Sequence, residues 1–451
     1  MQNRFLLLGC ILIIALGLVA VPFPDGAIAI GLVFFMSAIA IFVFRQFTEE
    51  KDFVTNVFLI ALALRMGFGT LITVFDGRGF FGGDYVAYDS NGAAFMNVWL
   101  GLASATDTLI ANNNPLSGAG WGMNYLTGGI YYVLGRNLYA AQSFCGVIGA
   151  ATAPLVFYCS KKIYSNINVA KASAVAIALF PSFIIWSGQL LKDGLIIFLL
   201  VLAMTMVLQL QQKFSYASLV MLLFSMFGIL SLRFYIFYMV AVAVAGSFVV
   251  GLSSSKRSII RSTIVLVFIG FGLSYLGVGR QASVEIPTFV NLERIQSSRS
   301  DLARSADSGF GADADVSTTE GALSALPIGF AYLMFAPFPW QVSNLRQAIT
   351  VPEVLFWWSM MPLLFSGLVY TIKNRLRNAF PILIFSLMLT IAYSVFQGNV
   401  GTAYRQRTQI QVFLFIIIGV GWTLYQEQRE NKRLLQTASR KRIDNRLRAS
   451  A

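Results

Sequence analysis

Apolar side chains in this chain come in long unbroken blocks separated by short polar breaks, with little of the alternation that marks a half-buried strand. A hydrocarbon core about 30 Å thick takes roughly 17 to 25 helical residues to cross. Runs of about that length occupy 5–21, 27–44, 53–75, 138–158, 169–186, 190–208, 216–230, 234–250, 259–278, 354–370, 379–396 and 410–425. The pattern predicts an all-α polytopic membrane protein with about twelve transmembrane helices. The first run is read as a retained span and not a cleaved leader, because Pro22-Phe23-Pro24-Asp25 is followed at once by another apolar run.

Lys and Arg collect in cytoplasmic loops, so charge tests the orientation. With both termini placed inside, the inner set takes Arg4, Arg45, Lys51, Lys161, Lys162, Lys171, Lys213, Lys256, Arg257, Arg261, Lys373, Arg375, Arg377 and the basic tail from Arg429 to Arg448. The inner face is then strongly basic and the other slightly acidic. Two extracytoplasmic loops, 76–137 and 279–352, are far longer than a connection needs, which points to function on that side. In the first, 87–100 is amphipathic and suits a helix along the membrane surface. In the second, the polar stretch 296–319 reads as mobile. The segment 323–340 is apolar but broken by Pro327, Pro337 and Pro339, and reads as interfacial or re-entrant. The expected organisation is two N-terminal helices in 1–52, a transmembrane core with the first loop in 53–279, the second loop in 280–352, three C-terminal helices in 353–425 and a basic tail in 426–451.

Composition agrees. Of 451 residues, 57% are hydrophobic and 12% charged, a balance no soluble fold can bury. The formal charge of +13 would suggest a nucleic-acid partner in a soluble protein; here membrane topology accounts for it and no nucleic acid is expected. The chain has no histidine, which excludes Ser-His and Cys-His pairs and His metal sites and leaves Asp, Glu, Lys, Arg and Tyr for chemistry. Cys10, Cys145 and Cys159 lie inside apolar runs without metal or redox spacing.

The acids of the first long loop include Asp84 and Asp89, in Gly82-Gly83-Asp84-Tyr85-Val86-Ala87-Tyr88-Asp89. A carboxylate at a membrane surface can act as general base toward a hydroxyl, or hold a divalent cation (Mg or Mn) beside a phosphate; it can equally cap a helix. Lys192 beside Asp193, Arg233, and the pair Arg405 and Arg407 stand at helix ends on the same face. Such cations suit a lipid-linked phosphate, and suit snorkelling anchors as well. Arg65 lies mid-span, where a cation costs about 2.5 to 3.5 kcal/mol, so it faces protein or a water-filled cavity. Trp121, Tyr125 and Trp340 suit sugar stacking or membrane anchoring.

In this order the residues resemble bacterial members of the GT-C glycosyltransferase superfamily, the group with protein O-mannosyltransferases and aminoarabinose transferases. The likeness rests on Arg65 before a long outer loop, Asp84 followed four positions later by Tyr88, Leu179-Phe180-Pro181 with Ser187, Leu191-Lys192-Asp193-Gly194, and Arg405-Gln406-Arg407 before a late span. Ala336-Pro337-Phe338-Pro339-Trp340 followed by Pro352-Glu353 is similar to membrane proteins of exopolysaccharide clusters. The sequence departs from the family in placing two spans before the acidic loop, and in having Asp84-Tyr85 where adjacent acids are usual, which leaves Asp84 and Asp89 both open as the base.

The resemblance implies a multi-pass enzyme of a bacterial inner membrane with its active site facing the periplasm. It would move a sugar from a polyprenyl-phosphate donor to a glycan, lipid or protein acceptor, in cell-surface polysaccharide synthesis. Asp84 or Asp89 would be the base, and Lys192, Asp193, Arg233, Arg405, Arg407, Arg65 and Tyr88 the substrate and phosphate site. A polysaccharide polymerase or ligase acting on lipid-linked repeats, a flippase of lipid-linked sugars, and a scaffold in an assembly complex are the rival readings.

Overall fold

The computed structural model describes residues 20–114, 120–250, 256–275, 291–304, 308–311 and 314–449, with Gly9, Gly17 and Pro287. The predicted run 5–21 lies almost wholly outside them. Among the described residues the protein is all-α, and its sole strand-like pairing is an isolated antiparallel bridge between Gly309 and Asn399.

The helices are α1 (Asp25–Gln46), α2 (Lys51–Val74), α3 (Arg78–Phe81), α4 (Asp84–Leu100), α5 (Ala105–Asn113), α6 (Trp121–Leu134), α7 (Leu138–Tyr164), α8 (Ile167–Leu179), α9 (Pro181–Ser187), α10 (Lys192–Gln212), α11 (Tyr216–Leu232), α12 (Phe234–Val250), α13 (Lys256–Tyr275), α14 (Leu292–Arg304), α15 (Thr319–Phe335), α16 (Leu345–Ser359), α17 (Met361–Phe396) and α18 (Val400–Ala449). Six of them, α1, α2, α7, α10, α17 and α18, are long and apolar enough to cross a membrane. This is a multi-pass membrane protein.

The structure redraws several of the predicted spans. The run 169–186 is two helices, α8 and α9, meeting at 55° across Phe180. Pro181 opens α9 with a fixed φ and no N–H, a start for a new helix and an obstacle to continuing the old one. Helices α11 and α12, at 17 residues each, reach only about 25 Å. The run 354–370 is divided at Met360 between α16 and α17, and α17 itself bends at Arg375, where φ is −138°.

Helix α7 is the hub, packing on α1, α2, α8 and α10. Its sequence is rich in Ala, Gly, Ser and Cys, and small side chains let neighbouring backbones approach where hydrocarbon outside gives no hydrophobic drive to pack. Helix α18 packs against α17 and α8, and its apolar part is largely buried.

Both long loops carry more structure than expected. The first folds into α4, α5 and α6, with α4 lying against α6. Its helix starts at Asp84, three residues before the amphipathic stretch seen in the sequence. Helix α5 begins with a capping box between Ser104 and Asp107, whose carboxyl those hydrogen bonds hold below the usual range. In the second loop, part of the stretch expected to be mobile is helix α14, which buries Ile295, Arg299 and Ala303 at four-residue spacing. The apolar piece 323–340 forms most of α15, which packs on α17 and α18 before a short 3-10 turn at Pro339–Gln341.

Candidate active site

Four helix ends meet at one place: the start of α4, the start of α10, the joint of α11 and α12, and the start of α18. Each contributes one charged side chain to a continuous chain of ion pairs. Arg405 Nη1 is 2.8 Å from Asp84 Oδ2. On its other side, Arg405 Nε donates to Asp193 Oδ2 at 2.7 Å, with Nη2 at 2.5 Å from the same oxygen. The second oxygen of Asp193 lies 3.2 Å from Arg233 Nη2. Arg233 Nη1 then stands 3.4 Å from the Tyr393 hydroxyl, which donates to Gln409 Oε1 at 2.8 Å.

Burial differs sharply along this line. Asp193 is fully buried and Arg233 nearly so, whereas the Asp84 side chain is 49% exposed. Arg233 lies at the joint of α11 and α12, where Ser231 and Leu232 are buried beside it. A buried carboxylate is tolerable here because two guanidinium groups face it. The inner pair fixes Arg405, and the outer carboxylate keeps one oxygen open to whatever enters.

Lys192 stands next to Asp193 in the chain and forms no ion pair among the described residues. A Cβ on Gly120, which has φ +74°, would come within 3.3 Å of its ammonium. The Arg405 guanidinium carbon lies over the Trp186 ring, 5.6 Å from its centre. Trp186, Leu191, Val354 and Tyr404 form an apolar cup at this point, with Phe81 and Tyr88 packed against it. Burial, reinforced by the charges of Asp84 and Asp193, pushes the Tyr88 hydroxyl well above its ordinary range, so it remains a donor. Gly82, at φ +146°, turns the chain from α3 into α4 directly over Arg405, where a Cβ would be 3.9 Å from Nη1.

Asp89 belongs to a second network. Five residues on along a helix is about 140° of rotation, so it faces away from Asp84. It accepts from the Tyr131 hydroxyl at 2.6 Å and from Arg136 Nη2 at 2.6 Å. The Asp89 bond raises the Arg136 pKa, and burial, then Asp89, raises that of Tyr131. Asp84 and Asp89, the pair considered for a divalent cation, are thus divided between two arginines. Among the described residues no three His, Cys, Asp or Glu side chains stand together.

Arg407 and Arg65 are also placed apart from the cluster. Two residues along α18 is about 200°, so Arg407 points away from Arg405 and donates to the Met334 and Ala336 carbonyls at 2.9 and 3.0 Å. Arg65 braces the broken span. It reaches the Ile177 and Ala178 carbonyls at the end of α8, and its Nε donates to Ser187 Oγ on α9 at 2.8 Å. Gly149 and Gly194 make room for Ser187, since a Cβ on either would meet the Ser187 Cβ at 2.3 or 2.5 Å. That brace sets where α9 ends and therefore where Lys192 and Asp193 begin α10.

Of the residues singled out in the sequence, Asp84, Tyr88, Lys192, Asp193, Arg233 and Arg405 come together, and Asp89, Arg407 and Arg65 do not join them. Trp186, Tyr393, Gln409, Tyr131 and Arg136 were not anticipated. The polar run Arg405 to Gln411, leading into the last apolar run, is the one sequence signal that could have pointed to Gln409.

No protein-family model matches the sequence, and the comparison with curated proteins gives no match. Among solved structures, the chain is similar to the crystal structure of ArnT from Cupriavidus metallidurans bound to undecaprenyl phosphate, at 15% identity and a TM-score of 0.42. The match covers 68% of this chain and 50% of that one, so the chain spans about half the length of the structure it resembles.

Proposed function

We propose that this protein is a membrane glycosyltransferase that moves a sugar from a polyprenyl-phosphate carrier to an acceptor hydroxyl at the extracytoplasmic surface. The observation that carries this reading is the Asp84–Arg405–Asp193–Arg233 chain, with Lys192 beside it, at the end of a membrane-spanning bundle. It joins an accessible carboxylate to cations held in place by a buried one.

In this reading the donor's phosphate meets Lys192 and Arg405, a point charge and a planar fork. The donor's hydrocarbon chain stays among the lipid-facing helices. Asp84 accepts the proton of the acceptor hydroxyl. The new bond forms from that oxygen to the anomeric carbon, the bond from that carbon to the phosphate oxygen breaks, and polyprenyl phosphate leaves as an anion stabilised by Arg405 and Lys192. Asp193 and Arg233 do not touch substrate. They fix the Arg405 guanidinium before substrate arrives, so little reorganisation remains for the transition state. Tyr88, packed against the apolar cluster beside Arg405, supplies a neutral donor.

The test is reconstitution. The purified chain in liposomes, given a polyprenyl-phosphate-linked hexose and a membrane extract as acceptor source, is expected to release polyprenyl phosphate and label an acceptor. Movement of the intact lipid-linked sugar between leaflets without transfer would instead establish a flippase. Joining of lipid-linked oligosaccharide repeats would establish a polymerase.

A further inference from the structure

A buried acid outside the ion-pair chain links three elements that converge on Arg405. Glu353, on α16, is 7% exposed, and both its oxygens are occupied by hydroxyls. Ser182 Oγ, at the start of α9, donates to Oε1, and the Tyr404 hydroxyl, at the start of α18, donates to Oε2 at 2.7 Å. The two hydroxyl oxygens are themselves 2.9 Å apart, closing a triangle. Burial raises the Glu353 carboxyl above its ordinary range, opposed by the two hydroxyl bonds and by Arg407, whose guanidinium lies 5.0 Å from the Tyr404 ring centre.

The triangle reaches Arg405 by two routes. Tyr404 is its neighbour in the chain, so fixing that side chain fixes the first turn of α18. Ser182 is the second residue of the seven-residue helix α9, on which Trp186 lies one turn later. Trp186 packs edge-on against Tyr404 at 6.4 Å and offers its face to Arg405 at 5.6 Å. One buried carboxylate therefore holds both the strand of chain that carries the guanidinium and the ring it lies against. Uncharged acceptors would bind the two hydroxyls more weakly, which gives a buried acid a reason to be here.

We propose that Glu353 is a positioning residue for Arg405, clamping α9 and α18 through Ser182 and Tyr404 so that the guanidinium lies between Trp186, Asp193 and Asp84. Glu353 touches neither Asp84 nor Asp193 and does not meet substrate. The inference rests on the proposed function only for its effect on transfer; the placement of Arg405 can be read without any activity.

The experiment uses the full-length protein in nanodiscs as wild type, Glu353→Ala, Glu353→Gln and Tyr404→Phe. Phenylglyoxal labelling of Arg405 is followed by peptide mass spectrometry beside donor kinetics. Glu353→Ala is expected to raise the labelling rate of Arg405 several-fold and the donor KM about tenfold, the loss carried by a hydrogen bond to a charged group. Glu353→Gln, which keeps one acceptor oxygen, and Tyr404→Phe are expected to fall between it and wild type. Adding Glu353→Ala to Arg405→Met is expected to leave KM where Arg405→Met alone puts it, because a residue acting through Arg405 has nothing further to remove. If Glu353→Ala fails to fold, Tyr404→Phe and Ser182→Ala carry the same test. Unchanged labelling of Arg405 in folded variants overturns the clamp whatever the activity. Raised labelling in a protein that transfers no sugar upholds the clamp and removes the transferase reading.

Discussion

Asp84 and Asp89 ride on one helix and each meets an arginine, yet they belong to unlike regions. Asp84 is the accessible end of a line of charges that runs inward to a fully buried carboxylate and a second arginine. Asp89 ends in a pair with Arg136, itself 56% exposed, and in the Tyr131 hydroxyl, with the half-buried Arg78 near enough to act on Asp89 and Tyr131 by charge alone. The first arrangement holds a guanidinium rigidly in a sheltered place where charge interactions are strong; the second ties α4 to the chain between α6 and α7. Identical residue types therefore carry different meaning according to what stands behind them.

Substitutions can break or sharpen this contrast. The largest effect is expected for Asp193→Asn, which leaves Arg405 and Arg233 facing each other without their shared counter-ion. Removing one partner of a buried pair costs about 3 to 5 kcal/mol, visible as a loss of thermal stability together with loss of transfer. Arg405→Met removes the central cation; transfer should fall about 10² to 10³-fold with the protein still folded, measured as kcat under saturating donor. Lys192→Met is expected to raise the donor KM about tenfold and change kcat less, since it removes one charged contact to the phosphate. The smallest effect belongs to the other region. Asp89→Asn should lower stability by no more than about 1 kcal/mol and leave transfer within about twofold, because the Arg136 pair is exposed and Asn still accepts from Tyr131. A large loss of transfer from Asp89→Asn would erase the distinction between the two networks.

Much of the bundle was legible because hydrophobic length is a local property. The runs 27–44, 53–75 and 138–158 fall on α1, α2 and α7 with their ends displaced by a few residues. The break at Phe180-Pro181 was carried by a proline, but its geometry was not, since the brace comes from Arg65 on another helix. Lys192, Asp193, Arg233 and Arg405 were legible as charges at helix ends on one face, but their meeting was not, since Arg407 shares that position and lies apart. The splitting of Asp84 from Asp89 and of Arg405 from Arg407 is a matter of helical phase, and it required knowing that the helices begin at Asp84 and Val400. Glu353 stood out in the sequence only as the residue after Pro352, because its partners Ser182 and Tyr404 are distant along the chain. Helices α5 and α6 lacked the long apolar signature and were hidden in what read as loop.

The measurement that bears most directly on the account is single-turnover transfer by Asp84→Asn in liposomes, with folding and insertion checked alongside. Loss of the base should slow sugar transfer by about 10² to 10⁴-fold while donor binding persists. Transfer at the wild-type rate by a folded, inserted Asp84→Asn protein would contradict the assignment of Asp84 as the base and, with it, the mechanism proposed for this site.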